Sequence, residues 1–113
     1  MITLDKLFIE DTQLPWEDVG PGVRRKIMAH DPNLMLVKVA FEAGGVGAVH
    51  HHYHTQMSYV ESGRFEITID GATRVLKAGD VYHIPPNLPH GAVALEAGVL
   101  VDVFTPRRED FIQ

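Results

Sequence analysis

Apolar residues along this chain either alternate with polar ones or form short unbroken runs, and no stretch sustains the three-to-four-residue rhythm of a helix. Phe65, Ile67 and Ile69 alternate with Glu66 and Thr68, the pattern of a strand with one buried face. Asp70-Gly71 follows at once and predicts a tight hairpin, because a type I′ turn needs positive φ at both central positions. Further turn signals fall at 30–33, 42–45, 62–63, 78–80, 85–87 and 96–98. Strands are predicted between them at 23–29, 34–41, 46–52, 56–61, 64–69, 73–77, 81–84, 90–95 and 99–104. Such regular, short strands predict an all-β sandwich or barrel. The turn-rich stretch 15–22 makes about 1–22 an irregular N-terminal lead, and 107–111 can form one helical turn at most.

Composition narrows this picture. At 113 residues there is room for one hydrophobic core, so 1–113 is expected to be a single domain. The apolar share of 45% and charged share of 22% are those of a globular chain. The net charge of -5 is dispersed, and the basic runs Arg24-Arg25-Lys26 and Arg107-Arg108 are too short to track a phosphate backbone, so no nucleic-acid partner is expected. With no cysteine, a metal would have to be held by His, Asp, Glu, Gln or Asn. The N-terminus lacks an apolar leader and no spanning segment follows, so a soluble, cytoplasmic protein without a membrane partner is expected.

Four of the seven histidines lie in His50-His51-His52-Tyr53-His54, just after Gly44, Gly45 and Gly47. A purification tag would sit at a terminus, whereas this run is mid-chain between predicted strands. Strand alternation would send His50, His52 and His54 to one face and His51 and Tyr53 to the other. Further ligands are offered by Gln56 on the next strand and by His90, which follows the rigid Pro85-Pro86-Asn87-Leu88-Pro89 turn. The expected centre is therefore one divalent ion on His50, His52, Gln56 and His90. His54 is left open between a supporting and a substrate-contacting role, and His30 and His83 read as turn or surface residues.

The stretch from Gly44 through His50, His52, Gln56 and Gly63 resembles the first cupin motif, and Gly79, Asp80, Pro85 and His90 resemble the second. Gln56 stands where an acidic ligand is usual, Asn87 where the second turn usually has glycine, and Ala94 where a final asparagine is usual. The resemblance implies a double-stranded β-helix, the jelly-roll barrel. A closer resemblance spans nearly the whole chain: Trp16-Glu17, 22–27, 50–56, 80–91 and 102–111 are similar to the small cupins called pectin degradation proteins. It implies conversion of 4,5-unsaturated monouronates from pectin or alginate to the linear keto form, 4-deoxy-5-ketouronate. It also implies metal ligation by His50, His52, Gln56 and His90, with Asp102, Phe104 and Arg108 as the acid, aromatic and arginine of the catalytic site.

The residues add a physical reason. An amide in place of a carboxylate leaves a neutral ligand set, so the ion keeps its full charge and favours an anionic ligand, as the uronate implied by the resemblance would be. Asp102 shares a strand face with Leu100 and Phe104, and an acid among apolar neighbours marks a candidate proton carrier. The choice of Arg108 over Arg107 rests on the resemblance. The ligand set would equally accept nickel, zinc, manganese or iron. A cupin dioxygenase or sugar isomerase, or a non-catalytic small-molecule-binding cupin, are the competing readings. Open sheet edges near the N-terminus predict a homodimer.

Overall fold

A computed structural model describes residues 4–113. Eight strands carry the fold: β1 (Glu17–Gly20), β2 (Val23–Asp31), β3 (Leu34–Phe41), β4 (Val46–His50), β5 (Thr55–Ile69), β6 (Ala72–Lys77), β7 (Val81–Ile84) and β8 (His90–Thr105). All pairings are antiparallel, in the order β1-β2-β3-β8-β5-β6, with β4 also on β8 and β7 also on β5. β5 and β8 run through both layers. Their halves Thr55–Val60 and Val99–Thr105 join β3 and β7 in one layer, and their other halves join β4 and β6 in the second. The result is the expected all-β jelly-roll barrel.

Period-2 alternation explains what the layers enclose. Val60, Phe65, Ile67, Ile84, Ala94 and Leu100 are nearly sealed from solvent, and the rings of Phe41 and Phe65 meet edge to face at 5.2 Å. A second cluster, Met35, Val37 and Phe104, lies at the end that carries the histidines. The hairpin between β5 and β6 has φ of 49° at Asp70 and 82° at Gly71, as a type I′ turn requires.

Several boundaries differ from expectation. The segments 56–61 and 64–69 are one strand, and so are 90–95 and 99–104. The Ser62-Gly63 and Glu96-Ala97-Gly98 signals mark bulges where these strands press together. Gly63 has a φ of 82°, and a Cβ there would lie 2.6 Å from the Ala97 carbonyl oxygen. Glycine is needed at this point for close backbone approach, not to end a strand. The lead expected to be irregular contains strand β1 and one turn of helix at Leu4–Leu7; its first three residues lie outside the described region.

The lead is fastened across the outside of the barrel. Lys26 is 3% exposed, donates to the Asp11 carbonyl oxygen at 2.9 Å and lies 4.6 Å from the Trp16 ring centre. Lys26 and Lys38 both hydrogen-bond the Asp11 carboxylate at 3.2 Å and hold its pKa below the usual range. Beyond this cover, Met57, Tyr59 and Val81 leave an apolar row exposed on the same outer face. No helix among the described residues is long and apolar enough to cross a membrane.

Candidate metal centre

His50 closes β4, His90 opens β8, and the two are paired across the ladder. His52 joins them from the irregular link that follows β4, just ahead of a bend at 53–54, so the strand expected through residue 52 is corrected: it stops at His50, and the second imidazole is carried by the link to β5. The ring centres lie 4.5 Å (His50 to His90), 4.8 Å (His52 to His90) and 5.6 Å (His50 to His52) apart. One nitrogen from each lies within 4.8 Å of the others, an arrangement that could hold a metal ion.

Each ring has its Nδ1 against a backbone carbonyl: His50 on Ala48 at 2.8 Å, His90 on Leu88 at 2.8 Å, and His52 on His54 at 3.2 Å. Nδ1 therefore carries the proton and Nε2 keeps its lone pair. Burial draws the His90 pKa down, with His50 and Arg108 adding to the effect against the Leu88 carbonyl. Burial likewise pushes His52 down to about 4; the Gln56 contact opposes this, and the Arg108 charge reinforces it. Both rings are thus neutral near pH 7, the state that ligates metals.

Two observations test the fit to a cation. The buried Nε2 of His90 has no hydrogen-bond partner. His52 Nε2 and Gln56 Oε1 face each other at 3.0 Å, although neither holds a hydrogen once Nδ1 is protonated and the amide nitrogen points elsewhere. Two acceptors so placed repel unless a positive charge is shared between them, and a proton on His52 is disfavoured by its lowered pKa. The donor set suits one divalent ion. Asn87, with a φ of 68°, occupies the left-handed position expected of glycine, and its N–H donates to the His52 carbonyl at 2.7 Å. That bond fastens the turn before His90 to the loop of His52.

His54 stands outside this cluster. Its carbonyl receives the His52 Nδ1 proton, its Nε2 donates to the Arg107 carbonyl at 3.2 Å, and its ring stacks on Tyr53 at 4.0 Å. It lies beside the group of His50, His52 and His90 and is not part of it. His51 and His83 are exposed, and His30, also exposed, accepts from Arg107.

A cavity of about 170 Å³ runs from His50, Gln56 and His90 past Asp102 and Phe104 to Arg108. Asp102 is buried and receives the Ser58 hydroxyl hydrogen at 2.6 Å. Burial raises its pKa to about 6, against the lowering pull of Ser58 and Arg108. Phe104 is 2% exposed, and the Arg108 guanidinium lies 5.3 Å from its ring centre. Arg108 Nε and Nη2 hold Asp110 at 3.0 and 2.9 Å, so one edge of its guanidinium fork is taken.

Sequence reasoning missed Arg25, Ser58 and Tyr82. Arg25 lines the cavity, pairs with Glu17 at 2.8 Å and lies 3.8 Å from the Phe111 ring centre, with Arg108 4.3 Å from the same ring centre. The available signal was an arginine between Val23 and Ile27 on one strand face, the same kind of signal that singles out Asp102. Tyr82 lies opposite Ser58 across the β5–β7 ladder and lines the cavity; burial raises its pKa, so it remains a neutral phenol.

The cupin domain family matches residues 37–104. The chain is 46% identical over 109 residues to the pectin degradation protein KdgF of Dickeya dadantii strain 3937, covering 95% of this chain and 98% of that protein. The solved structure of KdgF from Halomonas sp. superposes with a TM-score of 0.89 at 45% identity, over 92% of this chain and 96% of that one. An RmlC-like cupin from Shewanella frigidimarina NCIMB 400 superposes with a TM-score of 0.90 at 44% identity, over 92% and 94% of the two chains.

Proposed function

The chain belongs to the cupin family, alongside the pectin degradation proteins, and from that premise we propose that it converts 4,5-unsaturated monouronates to linear 4-deoxy-5-ketouronate, using one divalent metal ion. The observation that carries the reading is one cavity joining His50 and His90 of the histidine cluster, and Gln56, to Asp102, Phe104 and Arg108. His50, His52, Gln56 and His90 would hold the ion, which when bound supplies Lewis acidity toward the substrate carboxylate and the oxygen beside it.

The reaction is an isomerisation and needs no oxidant. The C1 hydroxyl loses its proton, the bond from C1 to the ring oxygen breaks to leave an aldehyde, and the freed oxygen becomes the C5 enol. A proton then reaches C4 while the C5 enol gives up its O–H proton, which leaves a ketone at C5. Asp102 carries protons in this sequence, and a carboxyl held at about 6 can both accept and return one near neutral pH. Phe104 supplies an apolar wall for the sugar. Arg108 receives the uronate carboxylate on the Nη1 side that Asp110 leaves open.

The direct test follows the absorbance of the conjugated double bond after 4,5-unsaturated galacturonate is added to the metal-loaded protein. We expect it to disappear faster than in buffer, without oxygen uptake. A rate equal to the buffer rate would sink the proposal, and oxygen consumption would point to a dioxygenase instead.

The proposal includes a homodimer. Strand β1 is bonded on one edge by β2, and the exposed row Met57, Tyr59 and Val81 offers a self-complementary apolar surface to a second copy. Sedimentation at micromolar concentration should give twice the mass of the chain, and monomer alone would count against it.

A further inference from the structure

Ser58 is among the most buried side chains in the molecule, at 1% exposure, and it lies on β5 between a proposed metal ligand and the proposed acid. Its hydroxyl receives a hydrogen from the Gln56 amide nitrogen at 2.9 Å and donates its own to Asp102 at 2.6 Å. While Asp102 is ionised, the direction of this chain is fixed. An ionised carboxylate can only accept, so the Ser58 hydrogen must point to Asp102 and the hydroxyl lone pairs must face Gln56. Gln56 then has one satisfactory orientation, with its amine toward Ser58 and its Oε1 toward His52.

We infer that Ser58 is a positioning residue that selects the amide orientation of Gln56, so that oxygen and not nitrogen faces the metal site, and ties that choice to Asp102. The inference rests on the metal reading above and extends it to a residue that touches neither the ion nor the sugar. It also accounts for the neutral ligand: a glutamate at position 56 has two equivalent oxygens and needs no such selection, whereas a glutamine does.

The test is a comparison of Ni²⁺ affinities by calorimetry on the full chain, with the far-ultraviolet dichroism and melting of each metal-free variant as a folding control. Ser58→Ala should weaken Ni²⁺ binding by about 10-fold or more, the size usual for loss of an outer-sphere partner. Ser58→Thr, which keeps the hydroxyl, should restore most of it. In a Gln56→Glu background, Ser58→Ala should change affinity less than about 3-fold, because no amide remains to be turned. An equal loss in both backgrounds would show a structural effect and overturn the inference, as would unchanged affinity in Ser58→Ala or an equal loss in Ser58→Thr. If the wild-type protein bound no Ni²⁺, the metal reading and this inference would fall together; wild-type binding with an indifferent Ser58→Ala would overturn the inference alone.

Discussion

Asp102→Asn in the metal-loaded protein is expected to lose uronate turnover by about 10²- to 10⁴-fold, the range for removing a positioned proton carrier, while Ni²⁺ binds as before. The amide has nearly the same shape, and its oxygen can still receive the Ser58 hydroxyl hydrogen, so the path to Gln56 is kept. The same substitution should stabilise the metal-free protein. Asp102 has a folded pKa of about 6 against 3.8 for the free side chain, so between those values the native state binds more protons than the unfolded state. Stability contributed by this group therefore falls as pH rises through that window and is flat above it, a cost on the order of 3 kcal/mol when both states are ionised. Urea titrations should show Asn and Asp proteins alike near pH 4 and the Asn protein more stable near pH 8. Wild-type turnover in Asp102→Asn would remove the residue from the mechanism, and a loss of stability at pH 8 would contradict the burial argument.

Loss of a ligand should cost the loaded protein far more than the free one. His90→Ala deletes an imidazole whose buried Nε2 has no partner, so the metal-free protein gives up an unsatisfied acceptor along with some packing and the Leu88 hydrogen bond. The loaded protein gives up one of three histidine donors. Wild-type protein at 100 times the dissociation constant of Ni²⁺ should gain about 2.7 kcal/mol of stability. His90→Ala at the same concentration should gain almost none and should show no turnover above buffer, as should wild-type protein treated with chelator. His51→Ala, at an exposed position outside the cluster, should keep both responses. Equal metal stabilisation of wild type and His90→Ala would place the ion elsewhere.

Much of this architecture was legible from residue order, because alternation and turn chemistry are local. The β5–β6 hairpin follows from Asp70-Gly71, and Leu34–Phe41 and Val81–Ile84 have the bounds their patterns predict. The gathering of His50, His52 and His90 was legible because four histidines within five residues have few other uses, and because a proline-rich turn precedes His90. What escaped was non-local. Gly63 and Gly98 resemble turn residues in sequence, since a glycine that admits a neighbouring backbone is chemically the same as one that bends the chain. The second imidazole sits in an irregular link where alternation predicted a continuing strand. Ser58 owes its role to Asp102, 44 residues away, and a serine between two apolar-strand neighbours carries no mark of that. Arg25 did carry one, its place between Val23 and Ile27, but it gains meaning only once Phe111 and Arg108 are seen beside it.

The bond from the Asn87 N–H to the His52 carbonyl is made by main chain alone. The two loops that bring in His52 and His90 are thereby ordered when the barrel folds, before any ion arrives. Some of the conformational entropy that a floppy pair of loops would surrender on capturing an ion is given up in advance, so the affinity of a metal held here would draw on ligand chemistry with less deduction for closure. The same rigidity fixes the size of the opening, so discrimination among divalent ions would fall to preferred coordination number and donor type, not to how far the loops can yield.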